Sequence, residues 1–144
     1  MNVVDKELFV KKIITIDATP SEVWDAITNP ALTKIYMYSS EVISDWETGS
    51  SIIWRDADTK KVHIKGIILE IEPGRLLRTK DLSIDSGLPD VESNYSFVSY
   101  ELAEENSKTN LKVTEDNFNG DEKKYKDSDN FWNVVLKGMK ELLE

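Results

Sequence analysis

From Val10 to Ala18 the even positions read Val10, Lys12, Ile14, Ile16 and Ala18, while the odd positions after Phe9 are mostly polar. Period-two alternation of this kind predicts a half-buried strand with its even side chains inward. Thr19-Pro20-Ser21-Glu22 then brings three helix-start signals together: a threonine able to cap, a proline suited to the first turn, and a glutamate placed to complete a capping box. Val23, Trp24 and Ile27 supply the apolar face of that helix. Asn29-Pro30 repeats the cap-and-proline signal and starts a second short helix, with Leu32, Ile35 and Tyr36 on its face.

Strands come next. Residues 41–46 and 51–56 flank the turn Glu47-Thr48-Gly49-Ser50. Residues 61–72 form a long strand whose apolar positions are even before Gly66 (Val62, Ile64) and odd after it (Ile67, Leu69, Ile71). A glycine at a change of phase predicts a bulge that bends the strand there. Pro73-Gly74 turns the chain, and residues 75–81 return. Residues 95–102, with Val98, Tyr100 and Leu102 on one face, and 109–114, with Leu111 and Val113, make a last hairpin.

The closing helix, expected over 129–143, carries the clearest pattern. Phe131, Trp132, Val134, Val135, Leu136, Met139, Leu142 and Leu143 fill an arc of about 200° at 100° per residue. An ordinary surface helix needs an apolar stripe of only about 100°. The extra width implies a helix embraced on its flanks, as by a curved sheet. The order is therefore strand, two short helices, about six strands and a long helix: an α+β domain with a curved antiparallel sheet of about seven strands and the last helix across it.

The chain has 144 residues, enough for one domain, 1–144, that buries roughly 68–70% of its unfolded surface. It contains no cysteine, which removes disulfides, zinc-thiolate sites and thiol nucleophiles from consideration. The 18 basic and 27 acidic residues leave a formal charge of −9 with no Lys/Arg run, so a phosphate backbone is repelled and nucleic-acid binding is not expected. Met1-Asn2-Val3-Val4-Asp5-Lys6-Glu7 shows neither a basic leader nor an apolar core, and no stretch approaches the ~18 apolar residues of a membrane span. A cytoplasmic protein with no membrane span is the expectation.

Ala18-Thr19-Pro20-Ser21-Glu22-Val23-Trp24-Asp25-Ala26, Asp45-Trp46-Glu47-Thr48-Gly49-Ser50 and Lys65-Gly66-Ile67-Ile68-Leu69-Glu70-Ile71-Glu72-Pro73 occur in that order. They are followed by Ser86-Gly87-Leu88-Pro89-Asp90, Asn94-Tyr95, Asp116-Asn117 and the helix from Trp132 to Leu143. Together they resemble the START-like (SRPBCC, helix-grip) superfamily, in the branch of the activator of heat-shock-protein-90 ATPase homologues. The resemblance implies a helix-grip fold, and it implies the C-terminal-type domain of the chaperone activators. The eukaryotic activators carry a further amino-terminal domain that makes much of the chaperone contact. These 144 residues are not expected to hold that domain as well, so the family name is not expected to give the activity.

Candidate chemistry is sparse. His63 is the single histidine. It falls on the odd face of an even-in strand, and no partner to orient it as a base can be named, so it is expected at the surface. Glu115, Asn117, Asn119 and Gly120 mimic the first half of a calcium loop, but the twelfth position is Lys126, where a bidentate glutamate is needed. No metal is expected there, and Asn119-Gly120 reads as a turn. No glycine pattern cradles phosphate, so no cofactor is expected. Asp45, Asp56, Asp58, Glu70 and Glu72 read as solvated strand carboxylates.

The aromatic residues Trp24, Trp46, Trp54, Tyr100, Phe131 and Trp132 remain, with Trp24 and Trp132 expected in the core. An empty pocket of about 300 Å³ beneath the helix would cost up to roughly 7 kcal/mol at ~24 cal/mol per Å³. Either the aromatics fill it, or water or a ligand does. The expected lining is Trp54, Val98, Tyr100, Val135 and Met139, with the loop 82–93 as a lid near the mouth. Three functions follow in order: a non-catalytic binder of a small hydrophobic molecule, a regulator of a chaperone or other protein partner, and an enzyme of the polyketide-cyclase kind.

Overall fold

The structure, a computed structural model, describes residues 8–144; the reading of residues 1–7 as free of a leader lies outside them. Strand β1 (Val10–Ile16) is followed by helices α1 (Pro20–Thr28) and α2 (Pro30–Tyr36). Strands β2 (Ser40–Ser44), β3 (Ser51–Asp56), β4 (Val62–Glu72), β5 (Leu76–Ser83), β6 (Ser96–Glu105) and β7 (Lys108–Asp116) come next, and helix α3 (Glu122–Leu143) closes the chain. The sheet has seven strands, all antiparallel, in the order β1-β7-β6-β5-β4-β3-β2. With α3 packed across it, this is the α+β helix-grip architecture expected from the sequence. No helix among the described residues is long and apolar enough to cross a membrane.

Local chemistry explains the elements that position the cavity. Thr19 and Glu22 form the capping box at α1: the Glu22 backbone N–H donates to Thr19 Oγ1 at 3.2 Å, and the Thr19 N–H donates to Glu22 Oε1 at 3.2 Å. Asn29 closes α1 with its backbone N–H and opens α2 by accepting from the Ala31 N–H at 3.0 Å. The two short helices thus share one residue as stop and start. β1 shows the even-in alternation, Val10 and Ile16 being fully buried.

Three expectations need correction. First, α3 begins at Glu122, about two turns before residue 129. Asp121 caps it, accepting from the Lys124 N–H at 3.0 Å. Its first turns are mostly polar and carry little apolar periodicity to announce a helix. Second, Ile35 and Val134 face solvent at 59% and 53% exposure, while Thr33 and Tyr36 are the buried face of α2. Without Val134 the apolar arc of α3 narrows to about 140°, still wider than a simple surface stripe.

Third, β4 is bulged at Leu69, between Ile68 and Glu70, and again at His63 opposite Trp54 and Arg55, and not at Gly66. Ile64, Gly66 and Ile68 keep one even-in phase, and Ile67 and Leu69 point outward. Gly66 has a different reason to be glycine. A Cβ there would collide with the Lys80 carbonyl and with Asp81 Oδ1 on neighbouring β5. Residue 66 gives up its side chain so that a carboxylate can occupy the inner face.

The core lies between sheet and helices. Ile16, Val23, Ile27, Ile52, Ile68, Leu77, Leu111, Val113, Val135 and Met139 are almost or entirely inaccessible. Gly138 lets α3 approach α2, since a Cβ there would sit 3.1 Å from Tyr36 Cβ. The Tyr36 hydroxyl donates to the Ala26 carbonyl at 2.6 Å, tying α2 to α1, and burial pushes its ionisation far above the ordinary phenol range. Trp132 fastens α3 to the sheet: its ring meets Tyr100 edge-on at 5.7 Å, and its Nε1–H donates to Glu115 Oε1 at 2.9 Å. Further along α3, Lys140 Nζ donates to the Thr15 carbonyl at 2.8 Å.

Trp132 is only 4% exposed. Trp132→Ala is expected to lower stability in urea by about 3–5 kcal/mol. A loss below about 1 kcal/mol would show that α3 is held without this side chain.

Candidate ligand-binding cavity

The inner face of the sheet can be followed rung by rung. Leu77, Tyr100, Val113 and Lys12 lie side by side on β5, β6, β7 and β1. The next rung is Ile68, Thr79, Val98, Glu115 and Val10. Ile52, Gly66, Asp81 and Ser96 follow, and then Trp54, Ile64 and Ser83. On the first rung Leu77 and Val113 are core, and Tyr100 reaches the cavity. Over the later ones the N-terminal half of α3 and the β5–β6 connection stand off from the sheet, and a cavity of about 810 Å³ opens between them.

Its sheet wall includes Trp54, Ile64, Asp81, Ser96, Val98, Tyr100 and Glu115. Phe131, Trp132 and polar residues of the first turns of α3 face them, Met37 and Tyr38 flank one side, and Ser86, Leu88 and Asn94 come from the β5–β6 connection. Of the residues expected to line a pocket, Trp54, Val98 and Tyr100 are brought together on this wall. Val135 and Met139 are wholly inaccessible and belong to the packed core. They lie one and two turns beyond Phe131 and Trp132, on the part of α3 that closes onto the sheet. Trp24 and Trp46 are partly buried and pack against the core from outside the cavity.

The aromatics do not fill the space. The space opens to the surface on one side, so water or a ligand fills it.

The rim is tied down by polar contacts. His63 Nδ1 lies 2.5 Å from Asp85 Oδ2, so the histidine does have a charged partner, on the β5–β6 connection. That bond holds Asp85 below the usual carboxylate range, with Lys61 adding to it. The His63 side chain is 35% exposed at the cavity rim, in keeping with the surface position expected for it. Asp90 of the connection accepts from the Tyr95 hydroxyl at 2.6 Å and pairs with Lys65, and Lys80 reaches Glu92 at 2.8 Å. Asn117 donates to the Tyr95 carbonyl at 2.6 Å and Asn119 to the Ser93 carbonyl at 2.7 Å. Two residues of the calcium-loop mimic thus anchor the connection through their amides. Asn119-Gly120 makes the expected turn, and the described residues contain no group of three or more potential metal ligands. Asp56 accepts from the Asp58 and Thr59 backbone N–H groups at 2.9 and 2.8 Å, a turn role.

The chemistry of the wall centres on two carboxylates, Asp81, which the sequence reading passed over, and Glu115, which it weighed only as part of the calcium-loop mimic. Both continue an inward apolar alternation, after Leu77 and Thr79 on β5 and after Leu111 and Val113 on β7. That parity was the available signal. Asp81 Oδ1 is enclosed and has no hydrogen-bond partner among the described residues. Burial raises the Asp81 carboxyl from 3.8 to about 7, opposed by a hydrogen bond from Thr79 and reinforced by the charge of Glu115. Burial also holds the Tyr100 phenol well above its ordinary range. Burial thus keeps the Tyr100 phenol un-ionised and favours the protonated form of Asp81 on this wall.

The fold and this cavity define a helix-grip protein with a chamber between its sheet and its last helix. The sequence profile of the family described as "Activator of Hsp90 ATPase homolog 1-like protein" matches residues 17–144, and the chain belongs to that family within the START-like superfamily. The solution structure of ChR145 from Cytophaga hutchinsonii is 34% identical, with a TM-score of 0.79 over 95% of this chain and 94% of that one. The Aha1 dimer from Colwellia psychrerythraea is 19% identical, with a TM-score of 0.77 over 94% of this chain and 96% of the other. CalU16 from Micromonospora echinospora is 22% identical, with a TM-score of 0.75 over 94% of this chain and 76% of its own. At the last two identities the likeness is one of fold. No curated protein matches the chain.

A raised carboxyl has a definite sign in stability. Between pH 3.8 and about 7 the folded state keeps the Asp81 proton that the unfolded chain releases, so stability falls as pH rises through that window and levels off above it. Asp81→Asn is expected to remove this loss, stabilising the protein at pH 8 by up to about 4 kcal/mol more than at pH 4. Equal effects of the substitution in urea melts at the two pH values would contradict the burial of this carboxyl.

Proposed function

We propose that this protein is a non-catalytic binding module that holds a small hydrophobic molecule between its sheet and α3. The observation that carries the reading is the 810 Å³ cavity itself, walled by Trp54, Ile64, Val98, Tyr100, Phe131 and Trp132. Its volume falls within the range of small-molecule sites, and a few polar groups converge on a mostly apolar wall, as such sites require. In this reading Trp54, Val98 and Tyr100 touch the ligand, whereas Val135 and Met139 serve it by fixing α3 to the core. The β5–β6 connection, with Leu88 at 45% exposure, covers the mouth.

Regulation of a protein partner is the second reading, and the family supports it. On the outer face, Ile67, Leu69 and Phe97 are 39–41% exposed, giving a partner some apolar surface. The two readings use opposite faces of the sheet and can be separated by substitution.

A thermal-shift screen against a library of apolar molecules is expected to raise the melting temperature, by RT ln(1 + [L]/Kd) in free-energy terms. Val98→Phe should fill part of the cavity and abolish that rise, at an overpacking cost of about 1–3 kcal/mol. If no apolar compound shifts the melting temperature, while Ile67→Asp and Phe97→Asp abolish capture of a chaperone, the partner reading takes first place.

A further inference from the structure

We infer that the molecule bound in this cavity is uncharged and oxygen-bearing, a ketone or other neutral carbonyl compound, whose oxygen accepts a hydrogen bond from the Tyr100 hydroxyl. This rests on the reading of the cavity as a ligand site and names the chemistry of its ligand.

The inference starts from a donor without an acceptor. Tyr100 is only 4% exposed and lines the cavity. Its hydroxyl has no hydrogen-bond partner among the described residues, yet it is not sealed in the packing, so it opens onto the chamber. Buried phenols ordinarily find a partner. Tyr36, also buried, does so: its hydroxyl donates to the Ala26 carbonyl at 2.6 Å. Ser96, 7% exposed on the same inner face of β6, brings a second unpartnered hydroxyl to the cavity. Val98 lies between the two, so β6 presents an apolar side chain flanked by two hydroxyls.

Water in the chamber can serve these hydroxyls. A hydrocarbon that displaced it would strand the phenol, whereas a carbonyl oxygen takes over the water's role as acceptor. Burial is the main reason the phenol stays un-ionised, with Tyr36, Asp81 and Glu115 adding to it, so Tyr100 remains a donor at neutral pH. A ligand carboxylate against Tyr100 would meet the same burial and the same acidic neighbours. The Trp132 indole N–H is already taken by Glu115. Lys124 lines the cavity from the first turn of α3 and forms no ion pair among the described residues. A ligand held by an anionic end would go there, and the test distinguishes the two.

Three probes of similar shape are titrated into the full chain at pH 7, followed by amide NMR shifts. They are 2-acetylnaphthalene, 2-isopropenylnaphthalene (a methylene in place of the carbonyl oxygen) and 2-naphthoate. Tyr100→Phe removes one oxygen and keeps the ring that meets Trp132. It is expected to weaken the ketone about five- to tenfold, the scale of one neutral hydrogen bond, and to leave the alkene within about twofold. The infrared carbonyl stretch of the bound ketone should lie lower in the wild type than in the variant, and the naphthoate should bind more weakly than the ketone. A ketone affinity unmoved by Tyr100→Phe, or a carbonyl stretch that is the same in both proteins, would overturn the inference and leave the cavity reading standing. Equal losses for ketone and alkene would mark a packing effect and overturn it as well. Naphthoate binding tighter than the ketone would mark an anionic ligand, and so would also overturn it. If none of the three binds, the cavity reading fails, and the inference with it.

Discussion

Trp132 is the point on which the arrangement turns. Its ring is buried against Tyr100 and its indole N–H satisfies one oxygen of Glu115, so one residue packs α3 onto the sheet and makes a carboxylate tolerable beneath it. Beyond Trp132 toward the C-terminus, Val135, Leu136 and Met139 close the helix onto the core. Before it, Phe131 stacks on Tyr38 at 5.6 Å, and the turns leading back to Asp121 stand over the cavity. The same helix therefore has a gripping half and a roofing half, and Trp132 marks the boundary.

The inner face repeats this division. Its first rung carries Leu77 and Val113, whereas the rungs under the roof bring in Asp81, Ser96, Glu115 and a missing side chain at Gly66. An apolar core has no use for such substitutions, since an enclosed oxygen without a partner costs roughly 1–3 kcal/mol or more. They make sense where the sheet faces a chamber, and polar groups arranged around an apolar chamber are what allow a site to choose among ligands of similar size.

Much of the scaffold was legible in the sequence because local signals agreed with the global fold. The Thr19–Glu22 capping box, the shared cap at Asn29, the even-in alternation of β1, the last hairpin and the apolar arc of α3 all reappear in the structure. The first turns of α3 were hidden because their positions are mostly polar, and a helix stabilised by a cap and surface pairs leaves little hydrophobic period. Gly66 was misread because an outward Ile67 and Leu69 mimic a change of phase, whereas the glycine answers to Asp81 across the strand pair. Of the site, Trp54, Val98 and Tyr100 could be placed from strand parity alone. Asp81 and Glu115 could have been found by the same parity, as carboxylates continuing an apolar face. Where α3 stops gripping and starts roofing is a matter of three-dimensional packing, so Val135 and Met139 were grouped with the wall while the structure sets them in the core.

The account's central claim is that an apolar molecule sits against the inner face of the sheet under the first half of α3. Intermolecular NOEs from a bound naphthalene-type probe to methyl-labelled protein measure this directly. The account predicts cross-peaks to the methyls of Val98, Ile64 and Leu88, and none to Ile13, Ile67 or Leu69 on the outer face. Cross-peaks confined to the outer-face methyls, or a complete absence of cross-peaks at saturating probe, would contradict it.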